Sequence, residues 1–352
     1  MLNNPYKYTR LIIHKFIIKK FILNKKQFRI GKLNLSPKFE KINYISEQKL
    51  IKFSFGQKNQ NKFFFVIKRS PGGGFFSNLI YVLKSIEFAE KKNFIPIIDM
   101  ENFKNKYSEQ KNIRNIKNYW EVCFNKINNY KLNEVYNSKN VYFSNKNIRV
   151  SLNDYKRKKI KNLYIKYIKI KKEFLLESDN FIKQNFNNYK VAGFHLRGTD
   201  QKYSPGHALP FSLIKATRII DYNLKALKYD KIFIVTDEKK YLDKLKLIYK
   251  KKIIFFNSFR ANSPNDFNTA NRKYHRNKLG IESLIEAIIL SKCDKLIYIN
   301  SNIPLFSIMI ADKKIKKKIY NFGIKSKNIF IARFEFFLRV LLKDFLLYKL
   351  FK

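Results

Sequence analysis

The amino-acid sequence predicts an α/β fold with two Rossmann-like, doubly wound domains that face each other across a cleft. Two observations predict this fold. Four apolar strand segments alternate with helical segments over residues 190–311, and a strand, a loop, a helix and a second strand occupy residues 63–99. Such alternation is typical of parallel sheets that are covered by helices on both faces. The length of 352 residues is enough for two such domains.

Residues 1–60 are the least regular part of the chain. Their apolar triplets alternate with basic residues, which interrupts the apolar stretch that a secretory signal needs. We expect a basic surface helix or an edge structure here, either separate from the first domain or part of it.

The first domain is predicted over residues 61–189. A short apolar strand at residues 63–67 leads into a glycine loop, which is followed by a helix and by a second strand at residues 94–98. This order forms one βαβ unit and therefore a parallel pair of strands. The loop contains Gly72, Gly73 and Gly74. Glycines let a donor or an acceptor group approach the backbone closely, although this loop lacks the Gly-Lys-Ser/Thr of a phosphate-binding loop.

The second domain is predicted over residues 190–327. Its strands are predicted at residues 191–196, 231–235, 253–256 and 295–299, and its helices at residues 211–227, 239–249, 280–291 and 303–311. Ligands of open α/β sheets bind outside the carboxyl ends of the strands, so polar residues at those ends are the candidates for a site.

The first candidates stand at the end of the first of these strands, in the segment from His195 to Asp200. His195 and Arg197 point to the same face of the strand. A guanidinium that leaves a buried strand at a loop suits a phosphate, because its planar fork makes paired, charge-assisted hydrogen bonds. The alternative is a structural ion pair between Arg197 and Asp200.

Thr236 and Asp237 end the next strand. They would contact the base or the sugar of a nucleotide, or they would cap the following helix, and spacing alone favours the cap. At the end of the last strand, Ser301 and Asn302 open a helix whose backbone amides suit a phosphate. Ser301 as a helix cap is the alternative here, and the two interpretations are compatible.

Glu286 is the only polar residue from Leu284 to Leu290, so we expect a buried carboxylate that needs a partner. Glu282 lies one turn earlier on the same face of the helix, where like charges repel. Arg276, Lys278 or the hydroxyl groups of a ribose would offset the two carboxylates. The alternative is a salt bridge to Arg272 or Arg276.

Residues 328–352 combine aromatic and aliphatic residues at helical spacing with arginine and lysine. A basic amphipathic helix of this kind is typical of a membrane-surface element. Packing of the helix back onto the protein is an equal alternative.

Composition excludes several other classes of protein. Hydrophobic residues make up 45% of the chain, which excludes a mainly disordered protein. Two cysteines and four histidines argue against a disulfide scaffold and against a cysteine or histidine metal site. No uncharged apolar run of about 18 residues is present, so no transmembrane helix is expected.

The net charge of +48 has two explanations. Such a surplus fits a nucleic-acid-binding surface or an anionic membrane. Lysine is spread along nearly the whole chain, however, so a general compositional bias explains the charge as well. Because no known DNA- or RNA-binding signature accompanies the charge, we expect no specific nucleic-acid partner.

Several segments, taken together, resemble motifs of one enzyme family. The string His195-Leu196-Arg197-Gly198-Thr199-Asp200 resembles the His-x-Arg-Arg/Gly-x-Asp motif of the GT-B fucosyltransferase superfamily, which includes the α1,6-, α1,2- and protein O-fucosyltransferases. The strand that ends in Thr236-Asp237, the helix end at residues 288–294 and the turn at residues 300–302 are similar to family segments in order and spacing. The resemblance covers roughly residues 60–325 and includes the glycine loop.

The resemblance implies a GT-B fold and an inverting transfer of fucose from GDP-fucose, without a metal and without a further cofactor. By family position, Arg197 would hold the β-phosphate and His195 would line the same site. Glu286 falls where the family has an acidic residue that contacts the nucleotide, Ser301 where a serine contacts the diphosphate, and Asp237 in the guanosine-binding region. The neighbours Thr236 and Asn302 are included among the nucleotide-sugar-binding candidates.

Two features depart from the family pattern. Many relatives have two consecutive arginines, whereas the second position here is Gly198. The catalytic carboxylate proposed for the α1,6 branch has no counterpart in residues 201–209, which offer His207 instead. The acceptor and the base therefore cannot be transferred, and Asp200 and His207 are our candidates for a base beside Arg197.

We therefore expect a cytoplasmic glycosyltransferase that moves fucose to a lipid-linked or soluble glycan in surface-polysaccharide synthesis. The helix at residues 328–352 would hold it at the inner face of the membrane. Three alternatives stay open: a transferase that uses another nucleotide sugar, an inactive nucleotide-sensing relative, and a non-catalytic nucleic-acid-binding protein whose affinity falls steeply with salt.

Overall fold

The computed structural model contains two α/β halves, each built on a five-stranded sheet. It describes residues 29–30, 33–34, 38–45, 48–68, 73–144, 154–202, 204–263 and 265–342. The predictions for residues 1–28, for Gly72 and for residues 343–352 lie outside the described residues.

The first sheet is mixed. The strands of this half are β1 (Arg29–Ile30), β2 (Leu33–Asn34), β3 (Lys38–Ile45), β4 (Gln48–Ser54), β5 (Phe64–Ile67), β6 (Ile95–Ile98) and β7 (Val141–Ser144). β1 pairs with β2 in a separate two-stranded sheet, and the five-stranded sheet has the order β3-β4-β7-β5-β6. β7, β5 and β6 are parallel, which confirms the predicted βαβ unit, whereas β4 runs antiparallel to both of its neighbours. Pro96 lies in β6, an edge strand, where the missing N–H of a proline is tolerated.

The described part of this half contains five helices. They are α1 (Phe75–Lys91), α2 (Trp120–Cys123), α3 (Leu132–Val135), α4 (Asp154–Tyr167) and α5 (Lys172–Asn185), with a 3-10 turn at Ile113–Asn115. α1 is the predicted crossover helix and begins directly after Gly74. α5 packs against the second sheet: the rings of Phe181 in α5 and of Phe186, directly after it, lie 5.8 Å and 6.0 Å from the ring of Phe233 in the sheet.

The second sheet is parallel throughout. Its strands are β8 (Val191–Leu196), β9 (Lys231–Thr236), β10 (Ile253–Ile254), β11 (Lys295–Ile299) and β12 (Lys316–Tyr320). Their order is β10-β9-β8-β11-β12, which is the 3-2-1-4-5 order of a doubly wound fold when the strands are counted from β8. The four predicted strands are present, although β10 ends two residues earlier than expected. β12 was not predicted, because its run of lysines has the composition of a loop, although the strand lies at the solvent-exposed edge of the sheet.

The helices of the second half cover both faces of this sheet. They are α6 (Leu213–Asp221), α7 (Lys239–Tyr249), α8 (Asp266–Thr269), α9 (His275–Ser291), α10 (Asn302–Ile310) and α11 (Ile329–Phe336). Short 3-10 or π-helical turns occur at Thr199–Lys202, Tyr222–Ala226, Lys250–Lys252 and Phe337–Leu342. α9 begins earlier than the sequence predicts, and the predicted helix at residues 211–227 consists of α6 followed by a π-helical turn.

A single hydrophobic core cluster joins the two halves. It contains residues of α1, of α9 and of both sheets. The rings of Phe76 in α1 and Phe306 in α10 are 4.6 Å apart and form part of this junction. A second cluster fills the other face of β8 and β9 beneath α6 and α7.

The helix at the end of the described chain packs partly against the protein, and its contact with a membrane stays a prediction. Ala332, Phe336 and Val340 are buried, and Phe336 and Val340 form a small cluster with Leu209. Other large apolar residues of the segment are exposed, including Phe330 at 77% and Phe334 at 60%. No helix in the described ranges is both long enough and apolar enough to span a membrane.

Candidate functional site

A cleft of about 310 Å³ opens at the carboxyl ends of β8 and β9. The second half supplies most of its wall, and a loop of the first half completes it. The lining residues are Lys106, Tyr107, His195, Arg197, Val235, Thr236, Asp237, Ser258, Phe259, Arg260, Phe267, Asn268, Leu279, Glu282, Ser283, Glu286 and Ile303. The cleft therefore lies at the edge of the sheet where the sequence predicts a site.

The structure brings together five of the predicted site residues. His195, Arg197, Thr236, Asp237 and Glu286 all line the cleft. The other described candidates are not among its lining residues: Gly73, Gly74, His207, Ser301 and Asn302. Asp200 lies in the turn Thr199–Lys202, and its side chain is outside the described part of the structure.

His195 is a buried, uncharged group in the wall of the cleft. Its side chain is only 2% exposed. Burial and the nearby Arg197 lower its pKa from 6.5 to about 3, so the imidazole is neutral near pH 7. Its Nδ1 atom finds no hydrogen-bond partner among the described residues. A buried polar atom of this kind is suited to a hydrogen bond with a ligand.

Arg197 places a guanidinium at the end of β8. Its side chain remains 29% exposed, and its Nε lies 3.6 Å from Oδ2 of Asp237. The described carboxylate beside Arg197 is thus Asp237, a neighbour that the sequence does not predict. The partial exposure leaves the guanidinium in contact with the cleft.

Asp237 fixes the loop that follows Arg197. Its Oδ1 accepts a hydrogen bond from the Gly198 backbone N–H at 2.7 Å, and its Oδ2 accepts one from Thr199 Oγ1 at 2.8 Å. The helix-cap interpretation of Asp237 was wrong, because α7 has Glu238 at its N-cap position without a side-chain cap bond. Thr236 makes a local contact instead, since its Oγ1 accepts from the Glu238 N–H at 3.2 Å.

Gly198 stands where Glu238 leaves no room for a side chain. A Cβ atom at this position would collide with the Glu238 carboxylate. That carboxylate pairs with Lys202, whose Nζ lies 2.5 Å from Oε2, and both side chains are largely buried. A side chain at position 198 would therefore have to displace Glu238 from its pair with Lys202.

A buried ion pair holds Glu286. Arg260 Nη2 donates to Glu286 Oε1 at 2.5 Å, and Ser258 Oγ donates to the same oxygen at 2.9 Å. Both charged side chains are 7% exposed. Burial raises the pKa of Glu286, and the attraction of Arg260 opposes this effect. The Nε of Arg260 finds no hydrogen-bond partner among the described residues.

Glu282 has a separate cation. Arg272 Nη1 donates to its Oε1 at 2.5 Å and Nη2 to its Oε2 at 3.2 Å. The alternative salt bridge to Arg272 is therefore confirmed for Glu282, whereas the pairings expected with Arg276 or Lys278 were wrong. Glu286 pairs with Arg260 instead, and its contact with the hydroxyl groups of a ribose stays a prediction. Sequence reasoning missed Arg260, although its position soon after β10 places it at the same edge of the sheet as Arg197.

Aromatic residues form another part of the wall. The rings of Phe259 and Phe267 meet edge to face at 6.0 Å, and His275 packs against Phe259 at 4.8 Å. The Arg272 guanidinium lies 5.2 Å from the centre of the Phe259 ring. Aromatic rings in a cleft offer an apolar surface for a flat ligand group such as a base.

The first half contributes Lys106 and Tyr107 to the cleft. Tyr107 is anchored on both sides, because its hydroxyl accepts from the Phe75 N–H at 2.8 Å and its carbonyl accepts from Asn277 Nδ2 at 2.8 Å. Oδ1 of Asn277 also accepts from the Ile113 N–H at 2.7 Å. The start of α9 therefore fixes the loop that brings Lys106 to the cleft.

Ser301 takes the N-cap position of α10 without capping it. Its backbone is extended, and its side chain makes no cap hydrogen bond. The cap interpretation of Ser301 was therefore wrong, and its contact with a phosphate stays a prediction. Among the described residues, no group of three or more His, Cys, Asp or Glu side chains could hold a metal ion.

Comparison with known proteins gives structural neighbours only. No protein-family model matches the chain, and no curated protein sequence matches it. A NodZ α-1,6-fucosyltransferase co-crystallised with GDP is similar with a TM-score of 0.48 at 13% identity, over 70% of this chain and 91% of that one. The NodZ fucosyltransferase from Bradyrhizobium has a TM-score of 0.45 at 14% identity, over 70% and 92%. POFUT1 in complex with GDP has a TM-score of 0.36 at 10% identity, over 75% of each chain.

Proposed function

We propose that this chain is a glycosyltransferase that transfers fucose from GDP-fucose to a hydroxyl group of a glycan, with inversion and without a metal. One observation carries the proposal. A cleft at the carboxyl edge of a doubly wound sheet combines Arg197 with two buried polar atoms, His195 Nδ1 and Arg260 Nε, that have no partner among the described residues. Such a cleft suits a polar, anionic ligand. The resemblance of the motifs to fucosyltransferases implies that this ligand is a nucleotide sugar.

The lining residues suggest how a nucleotide sugar would lie. Arg197 would hold the diphosphate, because its guanidinium is the charged group of the strand end and is partly exposed to the cleft. Glu286 would accept hydrogen bonds from the ribose hydroxyls, since a buried carboxylate gains from such donors. The rings of Phe259 and Phe267 would contact the base.

The reaction itself needs little beyond charge stabilisation and alignment. The acceptor hydroxyl attacks the anomeric carbon from the face opposite to the diphosphate, and the bond to the phosphate oxygen breaks with its electron pair leaving on GDP. Arg197 would stabilise the negative charge that develops on the departing diphosphate. The hydroxyl proton goes to a base, for which Asp200 and His207 remain the candidates.

We further propose that the acceptor is a glycan of surface-polysaccharide synthesis and that the chain works in the cytoplasm at the inner face of the membrane. The support is the exposed apolar side of the segment Ile329–Leu342, which opposes the buried residues Ala332, Phe336 and Val340. An aromatic face on a strongly basic protein suits the interface of an anionic bilayer.

Calorimetric titration with GDP and with UDP tests the proposal. We expect the wild type to bind GDP more tightly than UDP, and we expect Arg197→Ala to lose most of this affinity. Arg114→Ala is the matched control, because Arg114 forms an exposed pair with Glu173 and does not line the cleft. Turnover of GDP-fucose would then be measured with the same variants.

Three outcomes would change the proposal. Preference for UDP would keep a glycosyltransferase but replace the fucosyl donor. Binding of GDP without turnover of any sugar donor would indicate a nucleotide-sensing protein. A well-folded wild type that binds neither nucleotide would contradict the enzyme and favour the basic nucleic-acid-binding alternative.

A further inference from the structure

Lys325 is a buried lysine that contacts the loop after β8. It is 2% exposed, and it is the only buried lysine among those whose side chains the structure describes. Its Nζ donates to the backbone carbonyl of Gln201 at 2.7 Å and to that of Ala208 at 3.1 Å. Burial of an ammonium group is costly unless hydrogen bonds or opposite charges compensate for it. The two bonds to backbone carbonyls therefore help to keep Lys325 in this buried position.

Residues 323–326 form a strap, which is hydrogen-bonded to the loop that follows β8. The Lys325 N–H donates to the His207 carbonyl at 2.9 Å, and the Leu209 N–H donates to the Gly323 carbonyl at 3.0 Å. The Gly206 N–H donates to the Ser326 carbonyl at 2.9 Å. Backbone hydrogen bonds thus join this loop to residues 323–326, and the Lys325 side chain bridges Gln201 and Ala208 within it.

The loop in question begins at Arg197 and carries both candidate bases, Asp200 and His207. Its first turn is fixed by Asp237, which accepts from Gly198 and Thr199. Lys202 is fixed by its pair with Glu238. Residues 204–209 follow these two contacts in the chain, and the strap bonds to four of them: Gly206, His207, Ala208 and Leu209.

We propose that Lys325 is the positioning residue for this loop: it holds the segment that carries the candidate bases in a fixed place relative to Arg197. Lys325 acts through the carbonyls of Gln201 and Ala208 and not by contact with substrate. The inference rests on the proposed function for its catalytic consequence, whereas the holding of the loop is a property of the fold alone.

Lys325→Met tests the proposal, because methionine approximates the apolar stem of lysine and removes the ammonium donor. Hydrogen exchange at the Gly206 and Leu209 amides should become faster by about tenfold or more, since both amides bond to the strap. The affinity for GDP should stay within about twofold, because Lys325 does not line the cleft. Turnover of GDP-fucose should fall by about 100-fold, which is what a small misplacement of a reacting group can cost.

Lys295→Met is the matched control. Lys295 is a half-buried lysine whose Nζ donates to Asn223 Oδ1 at 2.7 Å, at the start of β11 and away from the loop. Its variant should change neither the exchange of the loop nor the ratio of turnover to GDP affinity. Glu335→Ala is a second, milder variant in case Lys325→Met does not fold, because Glu335 Oε2 accepts from the Ser326 N–H at 2.7 Å and anchors the strap. It should change exchange and turnover in the same direction.

Two results would overturn the inference. The first is unchanged exchange at Gly206 and Leu209 in Lys325→Met, which would show that the side chain does not hold the loop. The second is a parallel loss of GDP affinity and turnover, which would assign Lys325 to general support of the cleft. A wild type without transferase activity would refute the proposed function instead, and the exchange measurement would still decide whether Lys325 holds the loop.

Discussion

Asp237 holds Thr199 in a backbone conformation that a threonine rarely adopts. The φ angle of Thr199 is 33°, and its Oγ1 donates to Asp237 Oδ2 at 2.8 Å. A β-branched residue at positive φ is strained, and such strain persists only where surrounding contacts impose it. The same carboxylate lies beside Arg197, so one aspartate connects a strained turn with the cation of the cleft.

Removal of this carboxylate should release the turn. Asp237→Ala takes away the acceptor for the buried Gly198 N–H and for Thr199 Oγ1. We expect the free energy of unfolding to fall by about 1–3 kcal/mol, which is typical when a buried donor loses its acceptor. Urea denaturation measures the change. Asp243→Ala is the control, since Asp243 forms an exposed pair with Lys239 on α7, and an equal loss in both variants would contradict the role of Asp237.

His195 makes stability depend on pH. Its pKa is lowered from 6.5 to about 3 in the folded chain. Between these values the unfolded chain binds a proton that the folded chain does not, so the free energy of unfolding falls as the pH falls, by about 1.4 kcal/mol per unit for this group.

The variant His195→Gln removes this titration. From about pH 6 to about pH 4, its free energy of unfolding should fall less steeply than that of the wild type. Above about pH 7, where a histidine of either state is neutral, the two curves should run parallel. Denaturation at a series of pH values provides the measurement, and parallel curves over the whole range would argue against a buried, neutral His195.

Arg260 should matter for both stability and binding, and the two effects can be separated. Arg260→Met leaves Glu286 buried without its cation, and we expect a loss of about 3–5 kcal/mol in the free energy of unfolding. The double variant Arg260→Met/Glu286→Leu should recover most of that stability, because no buried charge remains unpaired.

Although the double variant Arg260→Met/Glu286→Leu should regain stability, it should not regain nucleotide binding. The double variant lacks both the carboxylate and the guanidinium that line the cleft, so calorimetry should find little affinity for GDP. If the double variant is stable and binds GDP like the wild type, the pair serves packing alone and has no part in the site.

The exposed aromatic side of the C-terminal segment predicts membrane binding. The double variant Phe330→Ser/Phe334→Ser should sediment with anionic vesicles much less than the wild type does, because it loses the apolar contact with the lipid. Vesicles of phosphatidylcholine with about one third phosphatidylglycerol are suitable, and added salt should weaken binding.

Leu247→Ser/Ile248→Ser is the matched control for this experiment. These two residues are also large, apolar and exposed, but they lie on α7. Equal binding of both double variants to vesicles would show that the aromatic side is not the membrane contact. A wild type that forms a dimer, and a Phe330→Ser/Phe334→Ser variant that does not, would identify a second copy of the chain as the partner.

The sequence predicts the second half well, because the strands β8, β9 and β11 are buried on both faces and read as continuous apolar runs. It fails at β12, whose lysines show the pattern of a solvated loop, and at Tyr222–Ala226, where a helical pattern ends in a π-helical turn. Both failures occur where tertiary position, rather than local composition, decides the structure.

The candidate site shows the same division. The sequence predicts where the strands end, and the polar residues at those ends include His195, Arg197 and Asp237, which line one cleft. Arg260 follows a strand of only two residues, so its position in the cleft depends on how β10 pairs with β9. Lys325 is buried by contacts between the strap and a loop that lie more than one hundred residues apart in the sequence. No local sequence pattern predicts this burial.

The contact between Phe76 and Phe306 has a consequence for how the molecule moves and unfolds. Because one core cluster runs through both sheets, the halves share apolar surface that a wide hinge opening would expose to water. The two halves should therefore melt as one cooperative unit, and ligand would enter and leave through local motion of the loops at the rim. A fragment cut between α5 and β8 would carry half of that shared core as exposed apolar surface.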